Sequence, residues 1–99
     1  MPVVEIAAFK LVAGADETEF LKASDRVQEE YLSKCRGYVD RKLIKDSEGN
    51  WRDVVTFQTS DDAENAAKGF ATQPSTKEFE GMIDLKSAKM MHFEVKKEY

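Results

Sequence analysis

The chain contains one histidine, His92, within the segment AKMMHFEV at residues 88–95. Histidine is the commonest general acid or base in enzymes because imidazole exchanges a proton near neutral pH. The alternative is a packing role, in which the ring lies between Met90 and a neighbouring strand at a subunit interface and bonds a backbone carbonyl. His92 is therefore a candidate base, and Met90, two positions earlier, is a candidate ligand contact on the same strand face.

Four other side chains are candidate ligand contacts. Trp51 could donate its indole N–H to a substrate oxygen or stack on an aromatic ring, or it could close one end of the core. Asp53 and Arg41 could polarise a ligand carboxyl or orient His92, although a cross-strand ion pair is the simpler account. Tyr38 could hydrogen-bond a ligand, or it could pack at a strand edge with its hydroxyl in water.

The composition disfavours several other classes of protein. At 99 residues the chain is predicted to form a single domain, residues 1–99, and its net charge of −4 without a basic stripe disfavours nucleic acid as a partner. The single Cys35 cannot form an internal disulfide, and one Cys with one His cannot supply a four-ligand zinc site. No window approaches the ~18 apolar residues of a membrane helix, and no signal-peptide pattern is visible. We therefore expect a cytoplasmic protein without a metal site.

The first third of the chain predicts a strand and a helix. Residues 3–12 are rich in β-branched side chains and carry apolar residues at odd and even positions, so both strand faces should be covered. Asp16 followed by Glu19 forms a capping-box pattern that starts a helix. An apolar stripe at helical spacing leads to Gly37, which is predicted to end the helix as a left-handed cap.

Two alternating runs, residues 38–46 and 51–59, flank a Gly-containing turn and predict a β-hairpin. A three-residue loop, 47–49, with Gly49 in a left-handed conformation avoids the like-charge pair that a two-residue turn would create. In that register one face of the hairpin carries Val39, Arg41, Leu43, Trp51, Asp53, Val55 and Phe57. Arg41 then lies diagonal to Asp53, within pairing reach.

The remainder of the chain predicts a second helix and a closing strand. Ser60 is predicted to cap the helix, Pro74 to end it before a further helical turn, and residues 87–96 to form the strand. The order is strand, helix, strand, strand, helix, strand. It predicts an α+β ferredoxin-like fold, in which a four-stranded antiparallel sheet carries both helices on one face.

The other face of that sheet would be bare. Alternation along the closing strand assigns Met91, Phe93 and Val95 to the helix side, and Ala88, Met90 and His92 to the open face. Because a contiguous exposed apolar face marks an interface, we predict a homodimer with the two open faces packed together. Such a dimer could enclose an apolar cavity in each subunit, between its open sheet face and the partner, a common place for a small hydrophobic ligand.

With these elements placed, the chain resembles the antibiotic biosynthesis monooxygenase family of dimeric α+β barrel proteins. The likeness spans residues 3–95 and is carried by WRDVVTFQTSDDAENAA, Phe79 and GMIDLKSAKMMHFEV. Within them are a Trp-x-Asp opening of the third strand, a Ser-Asp-Asp-Ala helix start and a Met-x-His-Phe-type last strand. The family includes cofactor-independent oxygenases of anthrones and quinols, haem-degrading enzymes and proteins without known activity.

The resemblance also bears on the activity. Haem-degrading members carry an Asn on the first strand and an axial His on or near the second long helix, whereas this chain has Ala-Ala-Phe at residues 7–9 and no helical His. We therefore expect no cofactor. The resemblance implies a cofactor-independent monooxygenase of a small hydrophobic phenolic or quinol-type compound, with His92 as base and Trp51 as donor. The alternatives are a non-catalytic small-molecule-binding dimer and a structural domain whose own side chains fill the cavity.

Overall fold

The computed structural model describes all residues, Met1–Tyr99. Its elements are, in order, β1 (Val3–Leu11), α1 (Glu17–Glu30), a 3-10 turn (Leu32–Lys34), β2 (Tyr38–Lys45), β3 (Trp51–Phe57), α2 (Ser60–Phe70), α3 (Pro74–Gly81) and β4 (Ile83–Glu94). The strands form one antiparallel sheet in the order β2-β3-β1-β4. The predicted α+β ferredoxin-like fold is confirmed, and the turn after Pro74 is the separate helix α3. No helix is long and apolar enough to cross a membrane.

The three helices share one hydrophobic core with alternate residues of the sheet. Phe20 of α1 is fully buried, and its ring centroid lies 4.8 Å from that of Phe79 on α3 and 5.1 Å from that of Trp51 on β3. Phe9 of β1 pairs with Trp51 across the sheet and completes this aromatic cluster. The cluster fills the helix side of the sheet at the end nearest the β2–β3 loop.

The helix ends differ from the sequence predictions in two places. Asp16 caps α1 as predicted, since its carboxylate accepts from the amides of Thr18 and Glu19. However, α1 ends at Glu30, and Gly37, with φ +79°, lies just before β2 instead of capping the helix. The cap of α2 is Thr59 and not Ser60, because the Thr59 hydroxyl accepts from the Asp62 amide at 3.1 Å. The cap of α2 is thus displaced by one residue from the prediction, whereas α1 ends well before Gly37 and is followed by the 3-10 turn Leu32–Lys34.

The β2–β3 hairpin follows the predicted register with one exception. Lys45 pairs with Trp51, and Gly49 has φ +82°, so the three-residue loop is confirmed. The exception is Val39, because the register shifts between Tyr38 and Asp40. Val39 is therefore the extra residue of a β-bulge and is 49% exposed, instead of sharing the face of the hairpin that covers the core.

The prediction for the closing strand was wrong in its bounds and in its faces. β4 runs Ile83–Glu94, whereas residues 87–96 were predicted. Between the pairs Lys10–Asp84 and Ala8–Lys89, β4 advances five positions while β1 advances two, which leaves three extra residues in β4. An odd number of extra residues inverts the alternation. In the regular part His92 pairs with Glu5, and Met90 pairs with Ala7, so both lie on the helix side.

The opposite sheet face is not covered by the helices. Its central residues are apolar and come from three strands: Val4, Ile6 and Ala8 of β1, Val54 of β3, and Met91 and Phe93 of β4. We call this set the open face. Phe93 is 52% exposed, and the others are half-buried. An apolar surface therefore remains on the side of the sheet away from the core.

Candidate functional site

A cavity lies between the helix side of the sheet and α2. It has a volume of about 110 Å³. We call it the inner cavity; two acidic residues, Glu5 and Asp53, line it together with Ala7, Leu32, Val55, Phe57, Ala66, Ala67, Phe70 and Met90. This lining is the combination expected of a small-molecule site, a mostly apolar wall with few polar groups.

The space exists because α2 presents small residues to the sheet and is held in place by a hydrogen bond from Tyr31. The hydroxyl of Tyr31, just after α1, donates to the backbone carbonyl of Ala66. Gly69 permits this approach, since a Cβ at that position would lie 2.5 Å from the Tyr31 hydroxyl. Burial raises the pKa of Tyr31 to about 12, which keeps the hydroxyl protonated as the donor.

A larger cleft adjoins the inner cavity between α2 and β4, and it opens to solvent. Its volume is about 720 Å³, within the range typical of ligand pockets. We call it the outer cleft; it is lined by Val3, Ser60, Ala63, Glu64, Ala67, His92, Phe93, Glu94 and Lys96. Ala67 lines both spaces, so the two adjoin at that residue.

Glu5 and His92 meet where the two spaces adjoin. His92 Nε2 lies 3.5 Å from Glu5 Oε2, and the His92 side chain is 57% exposed while that of Glu5 is 13% exposed. Burial raises the pKa of Glu5, His92 opposes the shift, and the nearby Asp53 carboxylate adds to it. The site thus holds a buried carboxylate beside a solvent-facing imidazole.

Sequence reasoning missed Glu5. The sequence did carry a signal for it, because side chains alternate along a strand and Glu5 therefore shares the face of β1 that carries Val3, Ala7 and Phe9. A single carboxylate on the core-facing side of a strand costs free energy of desolvation, so it indicates a charged partner or a function.

Arg41 and Asp53 form the predicted cross-strand ion pair. Arg41 Nε and Nη2 donate to the two Asp53 oxygens at 2.9 and 2.8 Å, and Nη1 donates to the Ser24 carbonyl at 3.1 Å. Both side chains are buried, with 6% and 11% exposure. Asp53 borders the inner cavity with its charge already compensated, while Arg41 does not line that cavity.

Two other predicted contacts lie elsewhere. Trp51 packs in the aromatic cluster, where Lys45 Nζ sits 5.5 Å from its ring centroid, and it lines neither the inner cavity nor the outer cleft. The Tyr38 hydroxyl accepts from Gln28 Nε2 at 2.9 Å, away from both spaces. The structure therefore brings His92, Asp53 and Met90 around one site with Glu5, and separates Trp51, Tyr38 and Arg41 from it.

The remaining reactive groups do not form a second centre. No group of three or more His, Cys, Asp and Glu side chains is arranged to hold a metal ion. Burial raises the pKa of the Cys35 thiol, which disfavours the nucleophilic thiolate.

Solved structures that share this fold include three proteins of low sequence identity. SnoaB, a cofactor-independent oxygenase from Streptomyces nogalater, matches with a TM-score of 0.78 and 12% identity over 98% of this chain and 95% of SnoaB. A candidate antibiotic biosynthesis monooxygenase from Bordetella bronchiseptica matches with a TM-score of 0.79 and 18% identity, over 95% of this chain and 96% of that protein. A variant of MhuD, with two manganese protoporphyrin IX molecules per active site, matches with a TM-score of 0.69 and 19% identity, over 98% of this chain and 97% of MhuD.

These likenesses establish the fold. The resemblance to antibiotic biosynthesis monooxygenase-like proteins is confirmed at that level. No protein-family model and no curated protein matches the sequence.

Proposed function

We propose that residues 1–99 act as one domain with cofactor-independent monooxygenase activity on a small hydrophobic phenolic or quinol-type compound. The observation that carries the proposal is the pairing of a buried carboxylate with a solvent-facing imidazole, 3.5 Å apart, where a mostly apolar cavity meets an open cleft. The fold shared with SnoaB, described as a cofactor-independent oxygenase, supports it.

Such a reaction needs a base and a dry pocket. The base removes a proton from a hydroxyl or ring methylene, and the resulting anion passes one electron to O₂. The radical pair combines to a peroxide anion, which takes up one proton to become a hydroperoxide. Loss of water from the hydroperoxide completes the reaction, so that a ring CH₂ and O₂ give C=O and H₂O. In this proposal the Glu5–His92 pair supplies the base, with His92 as its solvent-facing member. Met90 is part of the cavity wall, and Asp53 is a polar group at its border.

The proposal assigns positioning roles to the residues outside the cavity. Arg41 holds Asp53 in place through two hydrogen bonds. Trp51 anchors the aromatic cluster, and Tyr38 is tied to α1 through Gln28. None of these three side chains is proposed to contact the substrate directly.

The proposed assembly is a homodimer through the open face. Val4, Ile6, Val54, Met91 and Phe93 form an apolar surface across three strands, with Phe93 52% exposed. In a two-fold symmetric contact, this surface on one subunit would pack against the same surface on the other, and both would be removed from water. The inner cavities lie on the helix sides and not between the two sheets, where the sequence had predicted a cavity. In such a dimer each subunit therefore keeps its own site.

The test is oxygen consumption by the purified protein with a panel of anthrones and quinols. Ala67→Phe places a ring where the inner cavity and outer cleft meet, and Asn65→Phe places the same ring on an exposed part of α2 that lines neither space. We expect uptake to be lost in Ala67→Phe and kept in Asn65→Phe. Equal uptake by both variants would place the reaction elsewhere.

The same panel separates the second candidate function. The inner cavity, at about 110 Å³, is smaller than most ligand pockets and would hold a single ring, so the second candidate is a protein that binds such a ring without turnover. Compounds that bind the unmodified protein and not Ala67→Phe, without any oxygen uptake, would support non-catalytic binding.

A further inference from the structure

We infer that Glu5 is the group that takes the proton from a ligand in the inner cavity, and that His92 carries this proton onward to solvent. The inference rests on the proposed function, because it assigns the order of proton transfer within the same site. Sequence reasoning had assigned the base role to His92 alone.

The placement of the two side chains carries the assignment. Glu5 lines the inner cavity and not the outer cleft, whereas His92 lines the outer cleft and not the inner cavity. Their facing atoms, Oε2 and Nε2, are 3.5 Å apart. A ligand group inside the cavity therefore meets Glu5 first, and His92 is reached from there through Glu5.

The Glu5 oxygen is free to accept that proton. Oε2 is buried and has no close hydrogen-bond donor within the chain, since its nearest polar partner, His92 Nε2, lies at 3.5 Å, the limit of hydrogen-bonding distance. A buried acceptor without a donor is uncommon in folded proteins and is costly. A ligand hydroxyl in the cavity would supply the missing donor.

The charged groups around Glu5 favour its action as a base. His92 faces it from β4, and Asp53 faces it from β3 with its charge balanced by Arg41. Tyr31, after α1, is the other titratable group close enough to interact with it, and α2 contributes only Ala66, Ala67 and Phe70 to the cavity. Burial raises the pKa of Glu5, which makes the carboxylate a stronger base than an exposed glutamate.

The proton step balances without a further reactant. The O–H or C–H bond of the ligand breaks, its electron pair stays on the ligand, and the Oε2–H bond forms. The proton then moves from Oε2 to Nε2 of the neutral imidazole, and the imidazolium loses a proton to the solvent that its exposed ring contacts. A ring seated in the inner cavity would leave an adjoining methylene at the junction, so the ligand class is an aromatic compound with an acidic methylene or hydroxyl beside the ring.

Proton transfer can be measured without oxygen. Anthrone in D₂O exchanges its methylene protons once they are removed by a base, and NMR follows the exchange under anaerobic conditions. We expect the unmodified protein to accelerate exchange, and Glu5→Gln to lower the catalysed rate by about 10²-fold or more, the usual contribution of a general base. Asp40→Asn, the same chemical change at an exposed position of β2, should keep the full rate.

The test of His92 must distinguish proton transfer from a purely structural role, and chemical rescue does so. His92→Ala should slow exchange, and free imidazole in the buffer should restore it, because the added base replaces the route to solvent. Retention of the full rate in Glu5→Gln would overturn the inference, and so would the lack of any catalysed exchange by the unmodified protein. Oxygen uptake tests the proposed function separately. Methylene exchange that depends on Glu5, without any oxygen uptake, would support the proton-transfer inference and reject the oxygenase activity.

Discussion

At the scale of single residues, the buried ion pair between Arg41 and Asp53 is the most sensitive contact. Arg41→Met leaves the Asp53 carboxylate buried without its two donors, and removal of one partner from a buried pair costs about 3–5 kcal/mol. Urea denaturation measures the change in the free energy of unfolding. Arg26→Met provides the matched control, since its pair with Glu78 is exposed and should contribute about 0–1 kcal/mol. Equal losses in the two variants would contradict this expectation.

Glu5 gives a prediction for the pH dependence of stability. Because folding raises the pKa of Glu5 above its ordinary value of 4.5, the stability that this carboxyl contributes is fully present below pH 4.5 and is lost as the pH rises through its raised pKa. Glu5→Gln removes the charged form. We expect the variant to match the unmodified protein at low pH and to be more stable by about 1 kcal/mol at pH 8.

Thermal unfolding across pH 4–8 checks this prediction. Asp40→Asn should leave the pH profile unchanged, because this carboxylate is exposed. A Glu5→Gln variant that is less stable than the unmodified protein at pH 8 would show that the charged carboxylate has a stabilising partner.

At the scale of elements, two neighbouring hydroxyl residues at the start of α2 differ in role, because Thr59 caps the helix and Ser60 does not. Thr59→Ala removes the side chain that accepts from the Asp62 amide and should cost about 1 kcal/mol. Ser60→Ala removes a hydroxyl that caps nothing, so its cost should be much smaller. Urea denaturation of both variants measures the difference, and a larger cost for Ser60→Ala would restore the cap predicted from sequence.

The same scale explains what the sequence could predict. Periodicity and turn residues were sufficient for the element order, the hairpin loop and the Arg41–Asp53 pair, because each depends on local spacing. Which side chains of β4 face the helices could not be predicted. Three extra residues shift its pairing with β1, and no Gly or Pro within that part of β4 marks the irregularity. The placement of Glu5 across from His92 could not be predicted for the same reason, because it depends on the register of β4.

At the scale of the whole molecule, the open face predicts self-association. Val54→Glu places a charge in the middle of this apolar surface and should convert a dimer into single chains, as measured by analytical ultracentrifugation. Leu21→Glu is the control, since Leu21 is an exposed apolar residue on α1. A single-chain mass for the unmodified protein would reject the proposed dimer.

The two bulges bear on how the sheet ends. Both lie in the outer strands, one at residues 38–40 of β2 and one at residues 84–89 of β4, while the inner pair β1–β3 is regular throughout. An outer strand with unpaired amides and carbonyls is a template for endless lateral growth, and a local kink spoils that template. The kink in each outer strand therefore disfavours lateral pairing along both borders of the sheet, and the proposed dimer through the open face uses neither border.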